Sequence, residues 1–596
     1  MTASTATRLN TLLHEMLAPL HPIAISLQPW AEAGWHESRR LAAPLCNATA
    51  PHMERATAMV DTRLSFLAPW QVVLLTMVLT LVAVRLWSVV ATRAADVLST
   101  GLLQSVIDAV KALPIISTLM EREHAKMTVK IRESMRGKAG EEEEAVLLEL
   151  PPKGAPPQQV LKRMRSRERC DVRIAEGDSR VSGTLYLADA EHCGLLSEAY
   201  AAFAHTNPMH TSVFPSVRRM EREVVAMTAA MLGGGPDGDP GVCGAMTSGG
   251  SESILTAVKA ARDWARRIRG VRRPEMVVAV SAHAAFVKAA EYFGIKLVRV
   301  PVGGDFRLAA AAVRRAMTRN TALVVASAPC YPHGVIDDVA GIAEVAGRAG
   351  VWCHVDACLG GFVLPFARQL GYRVPAFDFA VPGVSSMSVD THKFGMAHKG
   401  TSVVLYRSAA LRRHQYTRVT EWSGGLYISP GFAGSRSGAL IATAWASMMH
   451  LGNEGFLRVT AQIMQVAAEF AAGVRAIPEL RLTGEPAMAV VGFMASDPAP
   501  GARRLDVYAL NDAMGMRGWH LNALQRPPAL HMCFTATHSS AQPLLKDLHE
   551  CVAEVAKGDS KVAGGMAPVY GMADISPDRA IIGEFLVAYQ DVLLSG

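Results

Sequence analysis

The hydrophobic and polar positions of this chain divide it into three kinds of segment. Residues 64–84 are 21 consecutive uncharged, mostly apolar positions, enough to cross the hydrocarbon core of a bilayer. From about 216 to 430, short apolar runs typical of strands alternate with segments of helical periodicity. This alternation predicts an α/β domain with a mainly parallel sheet. Residues after about 440 indicate a smaller α+β domain.

These patterns predict five regions along the chain. An acidic run at 141–144 and a proline-rich break at 151–157 mark a linker ahead of the α/β domain. The regions are an N-terminal segment (1–63), a transmembrane anchor (64–92), a linker with the first segment of the globular part (93–215), a large α/β domain (216–430) and a small C-terminal domain (431–596).

The apolar stretch 64–84 has two interpretations, a membrane span or a buried core helix. More than sixty residues precede it, which does not fit a cleaved signal peptide. The flanking sequence is not domain-like, and this favours a single membrane span. Basic residues close to the two ends of the stretch are equal in number, so they do not indicate an orientation. Basic residues further along the chain favour a cytosolic location for the C-terminal side. The glycosylation sequon Asn47-Ala48-Thr49 is usable only if the N-terminus is lumenal.

Composition narrows the functional classes. The 596 residues are 50% hydrophobic, ample for a large core, and the net charge of +7 is modest for this length. The arginine-rich patch at 262–273 is typical of a solvated helix face, so we expect no nucleic-acid partner. Nine scattered cysteines suit a reducing compartment, and no spacing indicates a metal site.

The four residues Asp390-Thr391-His392-Lys393 carry the most informative chemistry. They follow the strand-like stretch 384–389, which is small and apolar. A desolvated lysine at such a strand end can condense with the aldehyde of pyridoxal phosphate, and the adjacent histidine can contact the cofactor or move protons. The pattern therefore predicts a pyridoxal-phosphate enzyme with Lys393 as the cofactor lysine.

Another short and mostly apolar run, at 351–358, carries one aspartate, Asp356. A buried carboxylate is costly unless it is paired, and the protonated pyridine nitrogen of the cofactor is a suitable cation. An equally open interpretation from sequence alone is that Asp356 caps the following helix.

A third signal combines a glycine turn and a histidine. Ser248-Gly249-Gly250-Ser251 precede a predicted helix, whose N-terminal N–H groups and dipole favour a phosphate. His283 lies at a later strand-to-helix junction, where it is either structural or stacked on the pyridine ring.

Together these stretches resemble the sphingosine-1-phosphate lyases, fold-type-I pyridoxal-phosphate enzymes related to the group II amino-acid decarboxylases. The resemblance runs from about residue 181 to 579. The matching stretches are 207–210, 247–255, 281–286, 332–337, 354–361, 390–395, 433–436 and 570–573.

The resemblance implies roles for the cofactor site. Lys393 holds the cofactor, Asp356 pairs its ring nitrogen and His283 stacks on the ring. It also implies a homodimer with shared active sites, anchored in the endoplasmic-reticulum membrane with the catalytic part in the cytosol. The remaining cofactor-binding residues are Ser248, Gly249, Gly250, Ser251, His392 and, from the partner subunit, Ser435.

The resemblance further implies a second anion site for the phosphate of a phosphorylated long-chain base. It is assigned to Tyr186, Asn207, His210 and Lys399, although from sequence alone His210 and Lys399 are as well explained as loop residues. Phe394 departs from the family pattern, where a tyrosine is expected.

Two alternative functions stay open. An amino-acid decarboxylase with the same cofactor should lack both a membrane anchor and a second phosphate site. A non-catalytic membrane scaffold would not need Lys393, Asp356 and His283 together.

Overall fold

The computed structural model describes residues 147–169, 171–172, 179–498, 504–557 and 580–594, together with Val129. The chain divides into two compact units, one of residues 149–582 and the other of residues 1–148 and 583–596. Most of the described residues of the second unit lie in the C-terminal helix.

A seven-stranded sheet forms the centre of the unit 149–582, with strand order β1-β7-β6-β5-β4-β2-β3. Only β7 runs against the others, so the sheet is mainly parallel. Strands β2, β4, β5 and β7 are buried along their whole length, as expected for a sheet covered on both faces. The strands are β1 Cys243–Thr247, β2 Glu275–Ala279, β3 Lys296–Val300, β4 Thr321–Ser327, β5 Trp352–Asp356, β6 Val384–Val389 and β7 Ser402–Tyr406.

Helices precede the sheet and connect its strands. The helix after β1 has one buried apolar face, which includes Ile254, Val258 and Ala261, and two arginines in its last turn. The helices up to β7 are α1 Pro157–Glu168, α2 Ala190–Phe203, α3 Pro215–Met231, α4 Gly250–Ile268, α5 Ala285–Phe293, α6 Ala310–Ala316, α7 Val339–Arg348 and α8 Leu364–Gln369.

The C-terminal part contains a second, antiparallel sheet of order β10-β11-β13-β12 and a two-stranded hairpin of β8 and β9. Its longest helix, α10, bends at Gly452, whose φ of 54° and ψ of −170° are not helical. The elements are α9 Ala409–Arg412, β8 Thr417–Val419, β9 Tyr427–Ser429, α10 Gly438–Arg475, β10 Leu480–Leu482, β11 Val490–Ala495, α11 Val507–Met516, β12 Asn522–Leu524, β13 Ala529–Cys533, α12 Gln542–Lys557 and α13 Ala580–Leu594.

The predicted α/β architecture with a mainly parallel sheet is confirmed. The five-region division stays a prediction. The apolar stretch 64–84 and the family-like segment 570–573 lie outside the described residues. Within the described part of the chain, no helix combines the length and apolarity needed to cross a membrane.

Candidate active site

The sequence signals meet at one edge of the central sheet. Strands β1, β2, β5 and β6 run in the same direction, so their carboxyl ends lie at the same edge. These ends lead into residues 248–251 (the glycine loop), His283, Asp356 and the segment 390–393. These motifs, which are far apart in the sequence, therefore lie at the same edge of the sheet.

Lys393 is paired with Asp390, a residue to which the sequence had given no role. Its Nζ lies 2.8 Å from Oδ2 of Asp390; the lysine side chain is 23% exposed and the aspartate only 1%. Burial alone would lower the pKa of Lys393, but the carboxylate of Asp390 holds it well above its ordinary value. The amine of Lys393 therefore stays protonated while it is paired with Asp390.

The carboxylate of Asp390 is closely surrounded. Nε2 of His392 lies 3.8 Å from Oδ2. The other oxygen, Oδ1, is buried and has no hydrogen-bond partner among the described residues. A Cβ on Gly250 would approach Oδ1 and Oδ2 to 2.8 and 2.7 Å, so only glycine fits there. The glycine loop therefore packs directly against the residues beside Lys393.

His392 is fixed in orientation by the backbone. Its Nδ1 donates to the carbonyl of Thr401, which leaves Nε2 as the acceptor of the neutral ring. Burial lowers the pKa of His392, so this neutral form prevails near neutral pH. Gly249 faces the same ring, because a Cβ there would lie 3.8 Å from Cε1 of His392.

Asp356 ends strand β5 and is 8% exposed. One of its oxygens, Oδ1, accepts hydrogen bonds from the backbone N–H of Cys358 and the hydroxyl of Ser388, each at 3.1 Å. Burial tends to raise the pKa of Asp356, but His283, the hydrogen bonds from Cys358 and the charge of Lys393 hold it below its ordinary value. The carboxylate is therefore kept charged inside the protein, which is what a partner of a pyridinium nitrogen requires.

His283 lies between β2 and α5 and is exposed at this edge. Its Nδ1 accepts from the backbone N–H of Ala285 at 3.1 Å, and its ring meets that of Tyr331 edge to face at 6.4 Å. The bond with Ala285 fixes the plane of the imidazole ring at the sheet edge.

A buried chain of hydroxyl groups anchors the glycine loop to the sheet. The hydroxyl of Ser253 lies 2.6 Å from that of Thr247 and 2.8 Å from that of Ser402. Gly249 adopts a φ of 153°, a conformation that side chains disfavour. Both donors of Ser248, its N–H and its hydroxyl, are directed to Glu252 at 2.7 and 2.6 Å.

Residues 393–399 (the lysine loop) are held from behind by two buried side chains. His192 contacts the carbonyl of Met396 through Nε2 at 3.0 Å, and Ser447 donates to the carbonyl of Gly395 at 2.7 Å. Met396 has a φ of 56°, which a non-glycine residue adopts only when its surroundings impose it. The loop is therefore rigidly placed between its two lysines.

Lys399 and Tyr186 lie together beside the lysine loop. Nζ of Lys399 is 4.5 Å above the centre of the Tyr186 ring, and that ring meets Phe394 edge to face at 4.9 Å. Burial, and then the charge of Lys393, lower the pKa of Lys399 to about 8. Burial raises the pKa of Tyr186 well above its usual range, so its hydroxyl stays protonated.

Asn207 lies against Ser435, although the family resemblance groups it with Tyr186 and Lys399. Its Nδ2 donates to the Ser435 hydroxyl at 3.0 Å, and its Oδ1 accepts from the N–H of Arg436 at 3.3 Å. His210 is exposed in the same turn, with its N–H bonded to the Asn207 carbonyl at 3.1 Å. The proposed substrate-phosphate residues therefore fall into two pairs within one chain.

Sequence reasoning missed Asp390 and Glu252 as site residues. A signal for Asp390 was available, since an acid three residues before a lysine can pair with it in a turn. Glu252 is the third residue after the helix N-cap Gly249, the position from which a glutamate commonly bonds back to the preceding backbone.

Comparisons with known proteins agree with this geometry. The pyridoxal-dependent decarboxylase conserved domain matches residues 158–496. A sphingosine-1-phosphate lyase of Arabidopsis thaliana is 45% identical over 542 residues, 90% of this chain and 97% of that protein. The solved structure of a Burkholderia pseudomallei sphingosine-1-phosphate lyase is 43% identical with a TM-score of 0.66, covering 73% of this chain and 98% of that one. A glutamate decarboxylase of Lactobacillus brevis, 20% identical with a TM-score of 0.59 over 70% of this chain and 97% of that one, shares the fold.

Proposed function

This chain belongs to the sphingosine-1-phosphate lyase family, and on that premise we propose that it cleaves the C2–C3 bond of phosphorylated long-chain bases. The products are a fatty aldehyde and phosphoethanolamine. The observation that carries this proposal is the second cation, Lys399, placed with Tyr186 beside Lys393. A decarboxylase of the same fold has no need of a second phosphate site.

The residues at the sheet edge fit pyridoxal phosphate. Asp390 keeps a buried oxygen without a hydrogen-bond partner in the described structure, so the surroundings of Lys393 are incompletely satisfied. The glycine loop leaves space next to Asp390 and His392 that any side chain would fill. Asp356 is held charged at a neighbouring strand end. An amine, an anion for the ring nitrogen and a glycine-lined helix N-terminus are the groups that this cofactor requires.

When bound, pyridoxal phosphate supplies an electron sink for the electron pair of the breaking bond. Lys393 would hold the cofactor aldehyde through Nζ and, once released from it, would donate a proton to substrate C2. Asp356 would stabilise the protonated ring nitrogen, and His283 would pack against the ring. Gly249, Gly250 and Ser251 offer their N–H groups to the cofactor phosphate, and Ser435 adds its hydroxyl.

Tyr186 and Lys399 are proposed to bind the phosphate of the substrate. Burial holds the pKa of Tyr186 well above its usual range, so its hydroxyl would donate a hydrogen bond to this anion. The Lys399 ammonium supplies a charge-assisted bond to the same anion. His210 is assigned to this phosphate by family resemblance.

Incubation of the purified enzyme with a phosphorylated long-chain base tests this function. Formation of long-chain aldehyde in step with phosphoethanolamine supports it. Release of carbon dioxide from amino acids, without aldehyde formation, would favour the decarboxylase alternative.

The activity should depend on pH through Lys399. Its pKa is lowered to about 8, chiefly by desolvation. The ammonium form binds the anion, so kcat/KM for the phosphorylated substrate should fall as pH rises through and above about 8. Lys399→Arg, whose side chain stays charged, should lose this alkaline decline. If Lys399→Arg shows the same pH profile as wild type, the assignment of Lys399 to the substrate phosphate is wrong.

We also propose a homodimer in which Ser435 reaches the active site of the partner subunit. Ser435 belongs to residues 430–436 (the serine loop), which follow the β8–β9 hairpin and are separate in sequence from every other cofactor residue. Asn207 contacts Ser435 within one chain, so both would serve the same site. Support for the arrangement comes from the family resemblance.

Mixed dimers of inactive chains should reveal shared sites. Pairing Lys393→Ala with Ser435→Asp leaves one intact site per mixed dimer, so random mixing should restore about a quarter of wild-type activity. Lys399 lies on the same loop as Lys393 and provides the control, since Lys393→Ala mixed with Lys399→Ala should restore nothing. Equal failure of both mixtures, in dimers shown to be mixed, would place Ser435 in its own chain's site.

Residues 64–84 are proposed to anchor the enzyme in the endoplasmic-reticulum membrane by a single span, with the catalytic part in the cytosol. The uncharged apolar pattern supports this assignment. The Arabidopsis match covers 90% of the chain, so it includes residues before 147. The Burkholderia structure covers 73% of the chain and nearly all of its own length, which supports a catalytic part that folds without the N-terminal segment.

Removal of residues 1–92 should release the protein from membranes without loss of cofactor binding, because every proposed cofactor residue follows residue 240. Fractionation of cells and the visible absorbance of the purified protein measure the two properties. A soluble, folded truncation that no longer binds pyridoxal phosphate would show that the N-terminal segment belongs to the cofactor site.

A further inference from the structure

Glu252 joins two loops that are distant in the sequence. Its Oε2 accepts from both donors of Ser248 in the glycine loop, at 2.7 Å from N–H and 2.6 Å from the hydroxyl. Its Oε1 accepts from the backbone N–H of Phe432 in the serine loop at 3.2 Å, across 180 residues of sequence. One carboxylate thus satisfies three donors and ties the two loops together.

The serine loop is built to receive this carboxylate. A Cβ on Gly431 would lie 3.1 Å from Oε1 of Glu252, so the backbone approaches the side chain closely. The hydroxyl of Ser429 donates to the carbonyl of Gly431 at 2.9 Å, and Arg436 forms a two-bond ion pair with Glu221. The loop is therefore held on both sides of Phe432, and Glu252 binds to a fixed partner.

We propose that Glu252 is a positioning residue for the cofactor phosphate, an inference that rests on the proposed function. By taking both donors of Ser248, it fixes the start of the glycine loop and leaves the N–H groups of Gly249, Gly250 and Ser251 for the phosphate. Ser248 then acts through Glu252, and its predicted direct contact with the phosphate is replaced by this indirect one.

Replacement of Glu252 by glutamine distinguishes a positioning role from an effect of its negative charge. A carboxylate can accept at both oxygens, whereas the glutamine amide can accept at only one and presents N–H donors at the other. Glu252→Gln therefore breaks the tie to one of the two loops. It also removes a negative charge near the phosphate, and this effect alone would tighten phosphate binding. The two explanations predict opposite signs.

Titration with pyridoxal phosphate and with pyridoxal, which lacks the phosphate, provides the test. Wild-type protein is titrated first, and failure to bind pyridoxal phosphate would refute the proposed function itself. Glu252→Gln should raise the Kd for pyridoxal phosphate on the order of ten-fold, while the Kd for pyridoxal stays within about two-fold of wild type. Glu291→Gln, which removes an exposed carboxylate on α5, is the matched control and should change neither Kd.

Two results would overturn the proposal. Pyridoxal phosphate binding that is unchanged or tighter in Glu252→Gln would mean that Glu252 acts through charge or not at all. Equal weakening for both ligands would mean a general loss of structure. If thermal unfolding shows that Glu252→Gln does not fold, Glu252→Asp carries the same test, because its shorter side chain cannot reach both loops.

Discussion

Replacement of Lys393 by alanine is expected to abolish both the visible absorbance of the bound cofactor and turnover, with a loss on the order of 10⁴-fold or more. No other described amine shares its position 2.8 Å from Asp390 at the carboxyl end of β6. Absorbance spectra of the purified protein with added pyridoxal phosphate, together with an aldehyde assay, measure the two losses.

The alanine variant also leaves the buried Asp390 carboxylate without its partner, which should lower stability by roughly 2–3 kcal/mol. Lys393→Arg is the matched control, because its guanidinium keeps the ion pair but cannot condense with the cofactor aldehyde. It should unfold near the wild-type temperature and still lack turnover. Activity close to wild type in Lys393→Arg would disprove the role of the amine.

Loss of Lys399 should reduce cleavage of the phosphorylated substrate while the cofactor spectrum stays intact. Removal of one charge-assisted hydrogen bond to the substrate phosphate costs on the order of 2 kcal/mol, roughly 30-fold in kcat/KM. Lys399→Ala should show this loss, since its ammonium lies 4.5 Å from the centre of the Tyr186 ring in the proposed phosphate site. His210→Ala is expected to behave similarly if it reaches the same phosphate.

A dephosphorylated long-chain base serves as the control substrate. It cannot use the second anion site, so Lys399→Ala should affect its cleavage far less. Equal losses on both substrates would show that Lys399 acts on the cofactor or on bond cleavage.

The sequence could predict the site residues that lie at the carboxyl ends of strands. Asp356 and Lys393 each follow a short apolar run, and parallel strands bring their carboxyl ends to one edge. Glycine at 249 and 250 is likewise predictable, because a phosphate-binding helix N-terminus needs backbone without side chains. Order along the chain was therefore enough to place these residues together.

The remaining contacts join residues that no local pattern connects. Asn207 meets Ser435 across 228 residues, and Glu252 meets Phe432 across 180. His192, for which the sequence indicates no partner, proves to support the lysine loop through Met396. Such contacts depend on how the loops fold back over the sheet, which periodicity and spacing do not specify.

The most direct test of the account is to locate the cofactor on the chain. The enzyme is incubated with pyridoxal phosphate, reduced with borohydride to fix the cofactor to the lysine that holds it, digested and analysed by mass spectrometry. We predict a phosphopyridoxyl group on the peptide containing Lys393, and none on Lys399. Stoichiometric labelling of any other lysine, with Lys393 unmodified, would contradict the central claim.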